Sequence, residues 1–425
     1  MSKDRNRFYY FVLFIIGVFS STNVLYGFVV GSTPILIGQI AGVVCLIAIL
    51  FVQKGKLYNV KPILRILPSI KLLFLCIVAS FIPVIIFNPN NLYQWFVGII
   101  ALLLNLTIII SILEGMNNID GLYMGIAVGI ILNFILSMYA LLQYKSGTIF
   151  TLNDYFPYAN TAALFMSNAF SARGFFKEPG HLMRFLAIFT IPLITRLHQQ
   201  HKIISKLLTF VIGVMLAFTG SATIAVFCIG FLAYYLYSRK KSPLKIVILI
   251  VGGGIFFGIL LWIFRNQIVS SGMLKSFSSG FQSLFVTTGS NGSRIQGMKY
   301  ALNIIAKYPI IGCGWNTLSK IFVSEGYYGV NSILGSYSGI LTLFAEIGIG
   351  AFSFIYLIYK SFRYLLRMGD ALSIGIAFSL AIYFVLFCLT DFTIDPGSAV
   401  FLAIALIHIK LKNDEFIRIN SDMGE

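Results

Sequence analysis

Charge is scarce in this chain. Only 11% of its 425 residues are Asp, Glu, Lys or Arg and 58% are hydrophobic, whereas soluble domains run near one quarter charged and one half apolar. That shortage excludes an ordinary soluble domain, and a mean hydropathy of +0.90 marks an integral membrane protein. Acid is scarcer than base: 14 Asp and Glu stand against 31 Lys and Arg, for a formal net charge of +17. Such an excess would suit nucleic acid, but the cations fall in short clusters between apolar segments, which is the form of topology signals. Nucleic acid is therefore excluded as a partner. Cysteine is sparse too. Of five, Cys45, Cys76, Cys228 and Cys388 lie inside apolar runs and Cys313 alone lies in a loop. No disulfide framework or zinc spacing exists. No repeat period and no low-complexity tract divides the chain, so residues 1–425 read as a single integral membrane domain.

What is present is a succession of apolar runs near the ~20 residues a spanning helix needs. Read against charged or Gly/Pro/Asn-rich breaks, they predict an all-α polytopic protein of about 12 spans: 8–30, 33–52, 69–88, 92–113, 120–143, 182–197, 203–218, 221–238, 244–264, 333–359, 371–390 and 397–411. The first resembles a secretory signal, but the apolar runs that follow it lead to the expectation of an uncleaved span. Only Thr219-Gly220-Ser221 divides 203–218 from 221–238, and one broken helix is the alternative there.

With the N-terminus in the cytoplasm and the spans alternating, 21 of the 31 Lys and Arg fall inside, as the positive-inside bias requires. Both termini are then cytoplasmic. The ten remaining cations lie in or at the edges of two long outer loops, 144–181 and 265–332. Confinement of cations to two loops on one side points to a bound anion.

The first loop ends in Ala172-Arg-Gly-Phe-Phe-Lys-Glu-Pro-Gly-His181, followed by Arg184. Pro179 suits the first turn of a helix, whose N–H groups, with Arg173 and Lys177, would form an anion cradle. Arg184 shares a helix face with His181 and lies about one turn below the surface. The plainer reading is that Lys177 and Arg184 anchor the helix at lipid headgroups. Glu178 and His181 resemble a metal pair, but Pro179 and Gly180 interrupt it and no further ligands are near, so no metal and no cofactor is expected. The second loop contains Ser293-Arg294, then Ile295, Met298, Leu302 and Ile305 at helical spacing. These predict an amphipathic helix lying on the membrane or on the bundle, capped by Ser293, with Arg294 in its first turn. Lys299 and Lys307 read as a solvated face. Aromatics such as Trp315 and Tyr327 suit an interfacial belt or sugar stacking.

Three stretches in order, Arg173 to His181, Thr219-Gly-Ser-Ala-Thr223, and Ser293-Arg-Ile-Gln-Gly-Met-Lys-Tyr through Gly312-Cys313-Gly314, resemble the bacterial O-antigen polymerase and ligase superfamily. Leu341 to Gly350, with Glu346-Ile-Gly348, matches the pattern that follows. The resemblance implies a GT-C-like fold and action on polyprenyl-diphosphate-linked oligosaccharide at the outer face of the bacterial cytoplasmic membrane. It further implies that Arg173 and Arg294 bind the diphosphate. Nine residues before Glu346, where ligases usually carry His, stands Tyr337, and Ala222 replaces an Arg that ligases often carry. Both departures favour a Wzy-type polymerase over a ligase, with a flippase as the alternative from another class. On this reading Arg173, Lys177, Arg184 and Arg294 hold the diphosphate. Glu178 or His181 takes the acceptor's proton, or Glu178 orients Arg173. Trp315, Tyr327 and Tyr337 contact sugar. Membrane lipid and a chain-length regulator are the remaining partners of such an enzyme.

Overall fold

The computed structural model describes residues 3–22, 26–30, 33–145, 172–176, 179–219, 221, 223–238, 290–327, 336–390 and 395–422. These are mostly helical. The expected span at 244–264, most of the first long loop, and residues 265–289 and 328–332 of the second lie outside the described residues.

The first two expected spans need correction. Helix α1 (Lys3–Ser20) stops ten residues before 30, and an antiparallel hairpin, β1 (Tyr26–Val30) and β2 (Thr33–Leu36), precedes α2 (Ile37–Val52). Consecutive hydroxyls end α1. Ser20, Ser21 and Thr22 donate to the carbonyls of Gly17, Val18 and Phe19 at 2.8, 2.6 and 2.8 Å, competing with the helical ladder for its last acceptors. The Tyr-Gly-Phe-Val-Val stretch beyond them favours a strand.

Short helices α3 (Val60–Ile66), α4 (Ser69–Ala79) and α5 (Phe81–Phe87) lead to the long α6 (Leu92–Glu114) and α7 (Ile119–Lys145). Then come α8 (Pro179–Gln200), α9 (Lys202–Thr219) and α10 (Ile224–Ser238). The last two are separate helices: α9 packs on α7 and α8, while α10 packs on α8 and on α15, which is given below. The chain continues through α11 (Ser290–Lys307), α12 (Leu318–Ser324), α13 (Gly339–Ile347), α14 (Ala351–Met368), α15 (Ala371–Leu389) and α16 (Pro396–Asp422). Among the described residues six helical stretches are long and apolar enough to cross a membrane: Ser69–Phe87, Pro89–Glu114, Met116–Gln143, Gly180–Gln200, Gly339–Met368 and Ala371–Leu389. Three shorter apolar helices accompany them. Phe51, Leu75, Ile86, Leu142 and Phe210 are each more than half exposed, which water would penalise and lipid would not.

Two features of the bundle position the site. Gly121, Gly125 and Gly129 form a stripe on α7 against α1, and a Cβ on Gly121 or Gly125 would run into the Tyr10 or Phe14 carbonyl. Small residues at a four-residue interval let two helices touch backbone to backbone. Continued at that interval, the stripe reaches Asn133 and Ser137. The second feature is α8, whose Leu182, Met183, Leu186, Phe189 and Leu193 are fully buried. It packs between α9 and α15.

Candidate functional site

Residues 172–176 are short, irregular and tightly held. Ala172 N–H donates to the Phe218 carbonyl at the end of α9 (2.8 Å). Gly174 N–H donates to Ser137 Oγ (3.1 Å) and Phe175 N–H to Asn133 Oδ1 (2.7 Å). Asn133 in turn donates through Nδ2 to the carbonyls of Ser21 (3.0 Å) and Gly129 (2.8 Å). One buried amide thus ties α1, α7 and the segment together. Gly174 is required here: its φ is +52° and a Cβ would meet the Asn133 side chain. Phe176 then packs on Phe185 of α8, ring centroids 5.3 Å apart.

This clamp forces Arg173 inward. Its side chain is only 9% exposed, and Nη1 finds no hydrogen-bond partner among the described residues. Desolvation lowers its pKa from the ordinary arginine value to about 10, so the guanidinium stays cationic at neutral pH while deprived of water. A buried, hydrogen-bond-hungry cation is poised for an anion.

Helix α8 begins at Pro179, as the sequence predicts. Within its first two turns, His181 and Arg184 line a small cavity with Tyr383 of α15 and with Asp395 and Ser398 at the start of α16. Its volume of about 20 Å³ suits one water molecule. Asp395 Oδ1 accepts from the N–H and the hydroxyl of Ser398, both at 2.7 Å, and so caps α16. Arg184 Nη1 donates to Thr390 Oγ1 (3.3 Å). The Thr390 carbonyl accepts from Gly339 N–H (2.9 Å), and Ser338 Oγ donates to the Cys388 carbonyl (2.7 Å), which docks the start of α13 onto the end of α15. Tyr337, just before that cap, has φ +56°, a conformation rare for an aromatic residue and typical of constrained sites.

Helix α11 departs from expectation in two ways. It starts at Ser290, so Ser293 is no cap and Arg294 is its fifth residue. The Arg294 side chain, like Lys177 and Glu178, lies outside the described residues. Its buried residues are Gly297, Ala301 and Ile304, the last two clustered with Ala345 of α13 and with α12, while Ile295 and Leu302 are 44% and 52% exposed. Small residues permit the close approach, and the larger ones are turned outward.

The Gly312-Cys313-Gly314 turn is clasped by α13. Cys313 and Gly314 N–H donate to the carbonyls of Ala345 (2.8 Å) and Glu346 (3.0 Å), and Leu318 N–H donates to Glu346 Oε1 (3.4 Å). On its other side Trp315 N–H and Trp95 Nε1 both donate to Ser80 Oγ, at 3.0 and 3.1 Å. Trp315 packs on the main core, and Tyr327 stacks on Tyr300 with centroids 4.3 Å apart.

The structure therefore ties the Arg173 segment to the helix carrying His181 and Arg184, through Phe176 and Phe185. Sequence reasoning missed Asn133, Ser137 and Thr390, which hold these parts. Asn133 and Ser137 were detectable as polar residues four apart within an apolar run.

Fold and site together define a polytopic helical membrane protein with a desolvated cation at one end of the bundle. Residues 206–356 match the family model described as O-antigen ligase. The match runs from α9 into α14, and it supports membership of the O-antigen polymerase and ligase superfamily. No curated protein matches the chain.

Proposed function

We propose that this protein is a glycosyltransferase that polymerises polyprenyl-diphosphate-linked oligosaccharide repeat units at the outer face of the cytoplasmic membrane. The observation that carries this reading is Arg173, buried, cationic at neutral pH and without a partner for Nη1 among the described residues. Glycosyl transfer from a polyprenyl diphosphate requires that a departing diphosphate be stabilised. A forked guanidinium that is cationic at neutral pH does this well, and preorganised charge aimed at developing charge is often the largest catalytic contribution. Arg173 and Arg184 supply two such groups, and Arg294 and Lys177 complete the set.

In the reaction an acceptor hydroxyl attacks the anomeric carbon of the growing chain. The bond from that carbon to the diphosphate oxygen breaks, and the diphosphate leaves with the electron pair. The hydroxyl proton passes to His181 or Glu178. A single displacement inverts the anomeric carbon. Tyr337, next in the chain to the Ser338 that docks α13 onto the end of α15, would contact a sugar ring, with Trp315 and Tyr327 at the rim.

A second reading, O-antigen ligase, is favoured by the description of the matching family and opposed by Tyr337 and Ala222. Purified protein incubated with a defined polyprenyl-diphosphate oligosaccharide separates the possibilities. A ladder of products means polymerase. Transfer only to lipid A core means ligase. Translocation without new glycosidic bonds means a flippase and overturns both. Arg173→Ala is expected to insert normally and make no ladder. A wild-type ladder from that variant would remove Arg173 from the diphosphate site.

A further inference from the structure

The end of the bundle opposite Arg173 holds a second polar cavity. Arg5, Tyr9, Gln53, Tyr58, Asn59, Glu114 and Asn118 line a space of about 210 Å³, room for about seven waters or one small headgroup. It lies at the start of α1, and Ser21 at the other end of that helix touches the clamp on the Arg173 segment. Eighteen residues of helix separate the two by roughly 27 Å, close to a bilayer's hydrocarbon thickness.

The cavity is built and incompletely satisfied. Glu114 is 5% exposed and accepts from the N–H groups of Tyr58 (3.1 Å) and Asn59 (2.8 Å). Tyr9 and Gln53, also buried, are hydrogen-bonded to each other at 3.0 Å. Two donors in buried positions, Arg5 Nε and Asn118 Nδ2, find no partner among the described residues. Buried polar atoms without partners are rare enough to require an explanation.

An apolar groove of about 520 Å³ adjoins it, walled by α3, α4, α6 and α16. The two spaces meet along the chain. Asn59 lines the cavity and Val60 the groove, and Glu114 and Leu113 divide in the same way. Lys410, which donates to Asn59 Oδ1 (2.8 Å), lies one turn beyond Leu406 of the groove. From Leu113 to Leu102 the groove follows α6 for about 16 Å, half the ~30 Å hydrocarbon core. A polar pocket at the end of an apolar groove one leaflet deep has the shape of a single phospholipid.

We infer that this site holds a diacyl phospholipid with a phosphoethanolamine headgroup, one acyl chain lying in the groove. Charge complementarity selects that head. The cavity presents one cation and one anion, Arg5 and Glu114, so the ligand should carry one of each. The phosphate meets the Arg5 guanidinium and the Asn118 amide, satisfying both orphan donors. The ammonium meets the Glu114 carboxylate, to which it donates hydrogen bonds. A trimethylammonium head has no N–H to donate, and a phosphoglycerol head leaves Glu114 without a counter-charge.

The test uses the full chain, purified, stripped of lipid and returned to phosphatidylethanolamine, phosphatidylcholine or phosphatidylglycerol of matched acyl composition. Bound lipid is counted by native mass spectrometry and stability followed by thermal unfolding. One phosphatidylethanolamine per chain should bind, about tenfold more tightly than the other two, and raise the midpoint. Arg5→Gln should weaken that binding about tenfold. Leu106→Trp, which fills the groove, should abolish it while soluble phosphoethanolamine still protects weakly. Equal binding of the three lipids, unaltered binding by Arg5→Gln, or displacement by polyprenyl phosphate at equal concentration would each overturn the assignment. Because the readout is lipid bound and not polymer made, it stands or fails independently of the glycosyltransferase reading.

Discussion

Two irregular segments, 172–176 and 312–318, are built alike and end differently. Each turns on glycine at positive φ, Gly174 in the first and Gly312 and Gly314 in the second. In each, backbone N–H groups are caught by neighbouring helices. In the second segment the polar groups close on one another, on α13 and on Ser80, with a small cluster around Ala301, Cys313 and Phe322 beside them. In the first, equally firm anchoring delivers a desolvated guanidinium with a nitrogen unmatched among the described residues. Pinning a backbone is what scaffolds do. Spending that rigidity to hold a charge out of water is what sites do, because the deficit is recovered only when a ligand arrives.

The largest effects should follow from removing that charge. Arg173→Met is expected to lower polymer synthesis at least about a hundredfold while raising the thermal midpoint of the ligand-free protein. The sign follows from the depressed pKa. The folded state disfavours the Arg173 cation, so stability is lowered at every pH below about 10 and recovers only as pH rises from there toward the ordinary arginine value. A shift of this size corresponds to about 3 kcal/mol, the most that the methionine could return. Activity limited by this cation should fall as pH rises through 10. A variant both inactive and destabilised would make Arg173 a structural residue and erase the contrast between the segments.

Asn133→Leu attacks the anchor of the first segment instead of its charge. It removes bonds to Ser21, Gly129 and Phe175 and should cost about 3 kcal/mol in chemical unfolding. Activity per folded molecule should drop about tenfold, since a misplaced Arg173 still carries its charge. Gly312→Ala is the matching blow to the second segment: a Cβ at φ +71° would strike the Glu346 carbonyl. Strain and overpacking together should cost about 2 kcal/mol. Here the folded fraction should turn over substrate within a few-fold of wild type. A rate loss as large as that of Asn133→Leu would mean the second segment is part of the site.

How much of this was legible beforehand depended on whether the cause was local. Pro179 marks the start of α8 and the charged run before it marks the mouth, because φ restriction and charge are properties of single residues. The Ser20-Ser21-Thr22 stop was equally local, yet hydropathy averaging ran the span through to residue 30. The exposed and buried faces of α11 were not legible, since apolar periodicity finds the bulkiest stripe, Ile295 and Leu302, whereas close packing chose Gly297, Ala301 and Ile304. Nor was the grouping of His181 and Arg184 with Asp395, because it needs α8, α15 and α16 to converge across more than two hundred residues. The role of Asn133 was half visible. A polar residue four places beyond a glycine stripe is a readable anomaly; what it grips is not.

The smallest expected effect lies on the outward side of α11. Lys307 pairs with Glu325 at 2.5 Å, and both side chains remain substantially exposed. The hydrogen bond that Lys307 donates to Glu325 raises the Lys307 pKa above its ordinary 10.5, so whatever the pair contributes is complete below that value and is lost as pH climbs through the raised one. Solvent screening keeps such exposed pairs small, and Lys307→Ala should change unfolding free energy by less than about 0.5 kcal/mol. Polymer synthesis should be unchanged, and its salt dependence should match wild type. A tenfold loss of synthesis without loss of stability would instead place Lys307 among the cations that meet the diphosphate. The second segment would then have to be regarded as a wall of the site rather than as the frame behind it.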